Sequence, residues 1–327
     1  YEVYATWSED PTAATDAPFT LMDRNFKQQT VYVDQTLAPD GAVVADRPWQ
    51  HLGSNALTSG TLVVELSNKA DGTVLADAVR VLRSPVQISG ETVSDSRLVD
   101  IDNDKRPELA VGRWPVRKKQ EVADLVKRTL AYEAGQAGSR AFFATDASEG
   151  SFSQIAGDII DKGQLAQDQV IQADGPTAEE IGELWRAGPW LAAYMGHGSI
   201  DQWGKDDIYS QQELDKLEGD SAPIVLQLTC LTGLFSSPQQ ASLAEGMLLH
   251  HSGPVLIVAA SSLTYSYHQE PFAVEFLKQL QDSDVDRIGD AFLGAKGVLY
   301  VENSEGYREI SDTFALFGDP SDKISRP

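Results

Sequence analysis

Two stretches of this chain carry residues able to do covalent chemistry. The first, Trp190-Leu-Ala-Ala-Tyr-Met-Gly196-His197-Gly198-Ser199, is an apolar run ending on a histidine between glycines. The second, Ala222-Pro-Ile-Val-Leu-Gln-Leu-Thr229-Cys230-Leu-Thr-Gly233, ends on the only cysteine. Short apolar runs closed by small-residue turns read as buried parallel strands. In open α/β sheets, catalytic groups collect at the carboxyl ends of strands. Two adjacent strands would therefore bring His197 and Cys230 to one edge. A thiol beside an imidazole is the minimum equipment of a cysteine nucleophile. The plain alternatives are an inert core cysteine and a turn histidine. Spacing alone does not separate these readings, because Cys/His signatures do not transfer between families.

The elements around these strands read as α/β. Residues 118–133 form an amphipathic helix with Val122, Leu125, Val126 and Leu130 on one side. Residues 140–145 read as a short buried strand and 253–261 as another. Helices are expected over 154–160, 177–186, 242–251, 271–280 and 288–300. Strands alternating with helices imply parallel pairing and right-handed crossovers. Residues 1–84 differ in texture. Alternating strand patterns at 1–7, 29–36, 61–68 and 74–81 are broken by Pro, Gly, Asn and Asp, which predicts an all-β sandwich.

Longer motifs carry a resemblance. Tyr194-Met-Gly-His197-Gly-Ser-Ile-Asp-Gln-Trp203-Gly204, followed by Leu228-Thr-Cys230-Leu-Thr-Gly233-Leu-Phe235, resembles the gingipain-type cysteine peptidases, family C25 of the caspase-like group. Three further stretches resemble the same family. Asp100-Ile-Asp-Asn-Asp-Lys-Arg-Pro-Glu108, running on to Gly112-Arg113-Trp-Pro115, looks like its acidic loop and Gly-Arg-x-Pro strand. Ala259-Ala-Ser-Ser262 to Tyr265-Ser-Tyr267 looks like the wall of its specificity pocket, and Phe314-Ala-Leu-Phe-Gly318-Asp319-Pro320-Ser321 looks like its terminal strand. The resemblance implies a caspase-like three-layer α/β sandwich, with a mostly parallel sheet flanked by helices. In residues 1–84, Tyr-Glu-Val-Tyr-Ala-Thr-Trp, Val-Asp-Gln-Thr and Ala-Asp-Ala-Val-Arg resemble the golvesin or xanthan-lyase C-terminal type of jelly-roll-like module. The resemblance implies that this module is incomplete at its N-terminal side, with Tyr1 expected inside the domain. The expected organisation is a β-sandwich module over 1–84, the tail of a first caspase-like half with its acidic loop over 85–116, and a catalytic domain over 117–327.

The resemblance assigns roles. Cys230 is the expected nucleophile and His197 the expected acid–base, with the backbone N–H groups of Gly198 and Cys230 as oxyanion donors. A third acidic residue accompanies the histidine in the family. Glu149 matches it best through its Glu-Gly pair, with Asp146 as the alternative. Asp146, Asp158, Asp201, Trp203, Tyr267 and His268 are candidate pocket residues. Asp158 and Asp201 could stand for a specificity carboxylate. The pocket wall suits a long aliphatic stem, an aromatic ring or a leucine, and the residue preferred at P1 stays open.

Asp100, Asp102, Asp104 and Glu108 place oxygen ligands at alternating positions, as calcium loops do. Lys105-Arg106 stands where such a loop has its turn glycine, and a solvated acidic turn is the plain alternative. The resemblance implies a structural calcium and no cofactor for the chemistry. His51 falls in the β module, while His250 and His251 fall at a helix end, where the dipole favours a cation. No zinc-binding His-Glu-x-x-His or phosphate-binding Gly-rich loop occurs.

Composition sets the outer bounds. The 327 residues carry 26 Lys+Arg against 49 Asp+Glu, a net charge of −23. So acidic a chain is no partner for nucleic acid, which needs a basic face. No apolar run reaches the ~20 residues of a membrane helix. The chain starts at Tyr1 without a signal peptide, which suggests a mature or truncated product with an upstream pro-segment or separate chain. Three functions fit: a secreted or cell-surface bacterial endopeptidase acting on protein or peptide, a sortase-like transpeptidase of the same family, and a catalytically silent protein that binds carbohydrate or another cell-surface ligand through the N-terminal module.

Overall fold

The computed structural model describes residues 2–23, 26–44, 46–54, 62–82, 93–104, 106–135, 138–204, 208–237, 240–301 and 305–326. Two compact units, 1–87 and 88–327, divide the chain. The expected boundary at 84–85 lies outside the described residues.

The N-terminal unit contains strands β1 (Glu2–Thr6), β2 (Ala17–Asp23), β3 (Phe26–Val33), β4 (Val43–Val44), β5 (Arg47–Pro48), β6 (Gln50–Ser54), β7 (Leu62–Leu66) and β8 (Ala78–Leu82). They form two antiparallel three-stranded sheets, ordered β6-β1-β8 and β3-β2-β7, plus a small β4-β5 hairpin. Val3 and Ala5 of β1 share one apolar core with Phe19 and Leu21 of β2, Val33 of β3 and Leu52 of β6. Two sheets closing on one core make a sandwich. Strand β2 lies outside the expected strands because Pro18 sits in it, and proline demotes a strand reading. The fold tolerates it because the ladder with β7 starts only at Phe19.

The larger unit is built on a six-stranded sheet. Its strands are β9 (Ala141–Thr145), β10 (Val170–Asp174), β11 (Leu191–Met195), β14 (Ile224–Leu228), β15 (Leu256–Ala260) and β16 (Phe314–Phe317), and a short pair, β12 (Gln202–Trp203) and β13 (Tyr209–Ser210), stands apart. The order is β10-β9-β11-β14-β15-β16, parallel except for β16 at one edge. The helices are α1 (Lys119–Glu133), α2 (Gly150–Lys162), α3 (Ala178–Arg186), α4 (Leu243–Leu249), α5 (Ser266–Gln281), α6 (Ile288–Val301) and α7 (Glu305–Thr313).

Strand alternation sorts the core into two layers. Phe143, Ala193, Leu226 and Val258 face α2, α5 and α6, where Phe152, Ile159, Phe272, Phe276 and Phe292 cover them. Phe142, Ala192, Val225 and Ile257 face the other way, toward Leu125 of α1, Ile181 and Trp185 of α3, and Met247 and Leu248 of α4. Both faces are covered, so the strands read as unbroken apolar runs. The sequence expectation missed β10 and α7 and began α2 four residues late. The half-exposed β10 is an edge strand with a polar alternation, and α7 is mostly polar.

The Gly-Arg-x-Pro stretch is not a full strand. It contributes one bridge, Arg113 to Phe317, closed by the Arg113 N–H to Leu316 O at 2.9 Å and the Gly318 N–H to Arg113 O at 3.0 Å. Pro115 has no N–H to continue the ladder. Asp95 grips the Arg113 guanidinium through two hydrogen bonds.

Behind this segment lies a fully buried lysine. Lys296 of α6 donates to Ser96 Oγ at 2.7 Å, Ser311 O at 2.8 Å and Phe314 O at 2.7 Å. Three acceptors match its three N–H donors. Burial pushes its ammonium down to about 7, against the pull of Asp312 and Asp95. Above that pH the folded chain releases this proton while the unfolded chain keeps it, so the lysine's contribution to stability rises with pH. The denaturant midpoint of wild type relative to Lys296→Met should therefore improve from pH 7 to pH 9, by up to ~1.4 kcal/mol per unit. Parallel profiles would mean that Lys296 is charged throughout.

Candidate active site

The register of two strands builds the site. β11 pairs with β14 in parallel, with Met195 opposite Leu228. Two residues on, His197 and Cys230 leave the sheet at the same edge. The turn after β11 is tight. The Gly196 N–H donates to Leu228 O at 3.3 Å, and the Tyr194 hydroxyl donates to His197 O at 2.7 Å. A Cβ on Gly196 would sit 2.4 Å from the Asp146 Cβ, and one on Gly198 would sit 2.3 Å from Thr229 Oγ1 and 3.0 Å from Cys230 O. Both glycines are therefore required by close approach rather than by dihedral freedom.

His197 is held from three sides. Its Nε2–H donates to Glu149 Oε1 at 2.8 Å, its backbone N–H donates to Asp146 Oδ2 at 3.3 Å, and its ring meets Phe152 edge-on at 5.1 Å. Nδ1 is the ring nitrogen left for chemistry. Glu149 is the N-cap residue of α2, and Asp146 directly follows β9, ahead of the turn. The two carboxylates differ in role. Burial raises the Asp146 carboxyl, but hydrogen bonds from Ser148 and the His197 N–H outweigh it and hold it below its ordinary value. Asp146 thus fixes the histidine backbone, and Glu149 fixes the ring.

Cys230 is half-buried. Its Sγ lies 3.4 Å from both Thr264 O and Thr264 N. Burial pushes the thiol up; the Thr264 contacts pull it down and the Glu309 carboxylate pushes it up again. The next residue, Leu231, has φ +63°. The Thr232 N–H closes onto Cys230 O at 2.8 Å around it, a γ-turn that L-residues rarely adopt. Surrounding hydrogen bonds hold this strain: the Leu231 N–H to Ser262 O at 3.1 Å, the Gly233 N–H to Ala260 O at 2.9 Å and the Ala244 N–H to Thr232 O at 2.9 Å. Among the described residues, neither the Gly198 nor the Cys230 N–H donates a hydrogen bond. Both stand free to receive a developing oxyanion.

The other expected pocket residues scatter. Tyr267 stacks on Tyr265 at 5.3 Å, and His268 packs edge-on against both, directly beyond Thr264. Trp203 departs from expectation: it is fully buried and stacked on Tyr194 at 4.6 Å, so it supports the His197 turn instead of lining a pocket. Asp158 lies on the solvent side of α2, paired with Lys162 at 3.2 Å, and Asp201 accepts from Ser199 Oγ at 3.0 Å. Each of these carboxylates already has a partner on one oxygen. Thr264, Leu231 and Glu309 were not singled out from sequence. Only the run Ser262-Leu-Thr264-Tyr265 between an apolar strand and a helix hinted at the first.

The carboxylates of Asp100, Asp102, Asp104 and Glu108 converge, with ligand atoms all within 4.8 Å of one another. Backbone donors shape the loop: the Ile101 N–H to Glu108 Oε2 at 2.6 Å, the Asp104 N–H to Asp102 Oδ1 at 3.0 Å and the Arg106 N–H to Asp104 Oδ1 at 2.8 Å. The turn is made by Asn103 at φ +62°, a residue type that tolerates the left-handed region, so no glycine is needed. An all-oxygen, all-carboxylate donor set fits a hard divalent cation such as calcium.

Comparison with known proteins decides the family. The model of peptidase family C25 matches residues 52–325. The chain belongs to peptidase family C25. A Golvesin C-terminal domain matches residues 1–83. Gingipain R2 of Porphyromonas gingivalis is 23% identical over 252 residues, covering 68% of this chain and 33% of that protein. Gingipain R1 of the same species is likewise 23% identical, and the match covers 25% of its length. The C25 chain thus spans a third or less of these relatives. The crystal structure of the Arg-specific cysteine proteinase gingipain R superposes with a TM-score of 0.64 at 20% identity, covering 73% of this chain and 61% of that one. The complex of the pro- and mature domains of a Porphyromonas gingivalis gingipain matches at 0.64 and 20%, covering 71% and 60%. The α/β unit is the caspase-like sandwich shared by these structures.

Gly198→Ala tests the packing of the two turns. The new methyl cannot enter without moving Thr229 and Cys230. Cys230 alkylation by a substrate-like ketone should fall ~100-fold, as misplacements of about 1 Å do, while the circular dichroism spectrum is kept. An unchanged rate would show that the turns are not coupled.

Proposed function

We propose that this chain is a cysteine endopeptidase that works through Cys230 and His197. The observation carrying it is the β11-β14 register, which delivers the thiol and the imidazole to one sheet edge. Cys230 attacks the scissile carbonyl carbon, and its thiol proton passes to His197 Nδ1. The carbonyl oxygen gains negative charge and is received by the N–H groups of Gly198 and Cys230. His197 returns the proton to the leaving amine, the C–N bond breaks and an acyl-thioester remains. Water, deprotonated by His197, then releases the acid. Glu149 holds the ring and pairs the imidazolium; Asp146 holds the turn.

The family and its relatives support a secreted bacterial setting. The match to the complex of gingipain pro- and mature domains supports a pro-segment as a partner of this chain. Carbohydrate recognition by the N-terminal unit rests on the Golvesin C-terminal match alone. A calcium ion held by Asp100, Asp102, Asp104 and Glu108 would brace the loop leading into Arg113; it contributes no chemistry.

Activity-based ketones with Arg, Lys, Asp, Asn or Leu at P1 test the peptidase reading. Wild type should be labelled, and Cys230→Ala should not. Peptide turnover should drop at least ~10³-fold in Cys230→Ala and His197→Ala. Labelling without turnover, with product formed only on adding an amine acceptor, would identify a transpeptidase. No labelling of wild type would overturn both. Chelation by EGTA should lower the melting temperature by several degrees and calcium should restore it; an indifferent melting temperature would remove the cation from the account.

A further inference from the structure

Cys230 has a close neighbour from the loop after β15. Thr264 reaches its sulfur with two backbone groups. The Thr264 N–H donates to Sγ at 3.4 Å, and the Thr264 carbonyl oxygen lies 3.4 Å from the same atom. The two contacts suit different protonation states. A thiol donates its S–H to the carbonyl, whereas a thiolate accepts from the N–H. One residue thus serves the sulfur both before and after it loses its proton.

Little else holds Thr264. β15 stops at Ala260 and α5 begins at Ser266, and between them Leu263 and Tyr265 are 46% and 60% exposed. Among the described residues, Thr264 hydrogen-bonds to two partners, the sulfur and the side chain of Gln269. Gln269 stands on the first turn of α5 and is only 2% exposed. Its Nε2 donates to Thr264 Oγ1, and its backbone N–H donates to Tyr265 O at 3.2 Å. Oε1 has no partner among the described residues, so the bond to Thr264 is the one this buried amide makes. A buried amide is costly unless it is hydrogen-bonded, which makes that bond the reason for a glutamine here. The thiol's electrostatics agree with the geometry: burial pushes it up, and the Thr264 contacts pull it back down. The titratable groups around it are His197 with Glu149 and Asp146 behind it, His268 on α5, and Glu309 on α7, whose carboxylate pushes the thiol up.

We propose that the Thr264 N–H is the thiolate donor of the Cys230 centre, and that Gln269, by gripping Thr264 Oγ1, is the residue that positions it. When the S–H bond breaks, its proton passes to His197 Nδ1 and the electron pair stays on sulfur. The Thr264 N–H then donates to the charged sulfur, and this contact strengthens as the charge appears. The inference rests on Cys230 being the reacting group, and it deepens the peptidase reading by adding one catalytic group and its support.

The test reads the thiolate itself. Cys230 is the only cysteine, so iodoacetamide reports on it alone, and its rate against pH follows the thiolate fraction. Gln269→Leu and Thr264→Val each remove the grip and leave the sulfur in place. Both should alkylate about tenfold more slowly than wild type at neutral pH, the size of a one-unit rise in thiol pKa. Both should recover the wild-type rate at the alkaline plateau. Thr264→Ser keeps the hydroxyl and should keep the wild-type profile. Profiles of Gln269→Leu and Thr264→Val that coincide with wild type, or move to lower pH, would overturn the assignment, the latter by showing that the carbonyl outweighs the N–H. A rate lowered equally at every pH, or a serine variant that behaves like the valine one, would also overturn it, since both point to a disturbed loop and not to a lost donor. The expected profiles in a protein that cleaves no peptide would sink the peptidase reading and leave Thr264 and Gln269 in their roles.

Discussion

Everything at this site depends on the parallel pairing of two five-residue strands. β11 and β14 are fully buried and locked by side chains on both faces, so a slip of one residue would exchange the two core layers. The register places Met195 opposite Leu228, and from there His197 and Cys230 are only two residues away. The glycines at 196 and 198 let the His197 turn approach Thr229 and Cys230 closely. The strained turn at Leu231 then keeps the thiol at the rim instead of in the core. Packing thus fixes the geometry, and the polar groups only refine it.

Those polar groups form a hierarchy set by burial. Asp146 is buried and spends its oxygens on backbone donors of Ser148 and His197, so it acts as scaffold. Glu149 is exposed at the head of α2 and meets only the ring. Elsewhere, partly buried arginines tie the layers together. Arg128 of α1 donates to Leu248 O at 2.6 Å and Pro254 O at 2.9 Å, capping the end of α4. Burial lowers its guanidinium to about 10. Arg113 lies over the Phe235 ring at 3.8 Å, which ties the Gly-Arg-x-Pro segment to the loop following Cys230. The segment before α1 is therefore part of the frame of the site, although it contains almost no regular structure.

The sequence showed most where burial was complete. The apolar runs at 190–196 and 222–229 could only be central strands, and their last residues could only be at an edge. The His-Gly-Ser and Cys-x-x-Gly motifs then singled out His197 and Cys230 as the proposed pair. The acidic run at 100–108 was legible as a cluster of carboxylates, and its turn is made by Asn103 where a calcium loop would have a glycine. What sequence did not show depended on tertiary neighbours. Trp203 looked like a pocket residue because its Trp-Gly pair follows the histidine, yet it stacks on Tyr194 inside the core. Asp158 carries no local mark of its tie to Lys162. Thr264 comes from a segment far from Cys230 in sequence, and only the pairing of β14 with β15 brings it to the thiol. A pocket assembled from loops after different strands leaves no short-range pattern to read.

The most direct test is a crystal structure with a peptidyl aldehyde bound. A thiohemiacetal on Cys230 Sγ, with its oxygen within hydrogen-bond distance of the Gly198 and Cys230 N–H groups and His197 Nδ1 facing the leaving-group side, is the predicted result. An aldehyde bound without a covalent bond to Cys230, or an adduct whose oxygen turns away from both N–H groups, would contradict the account.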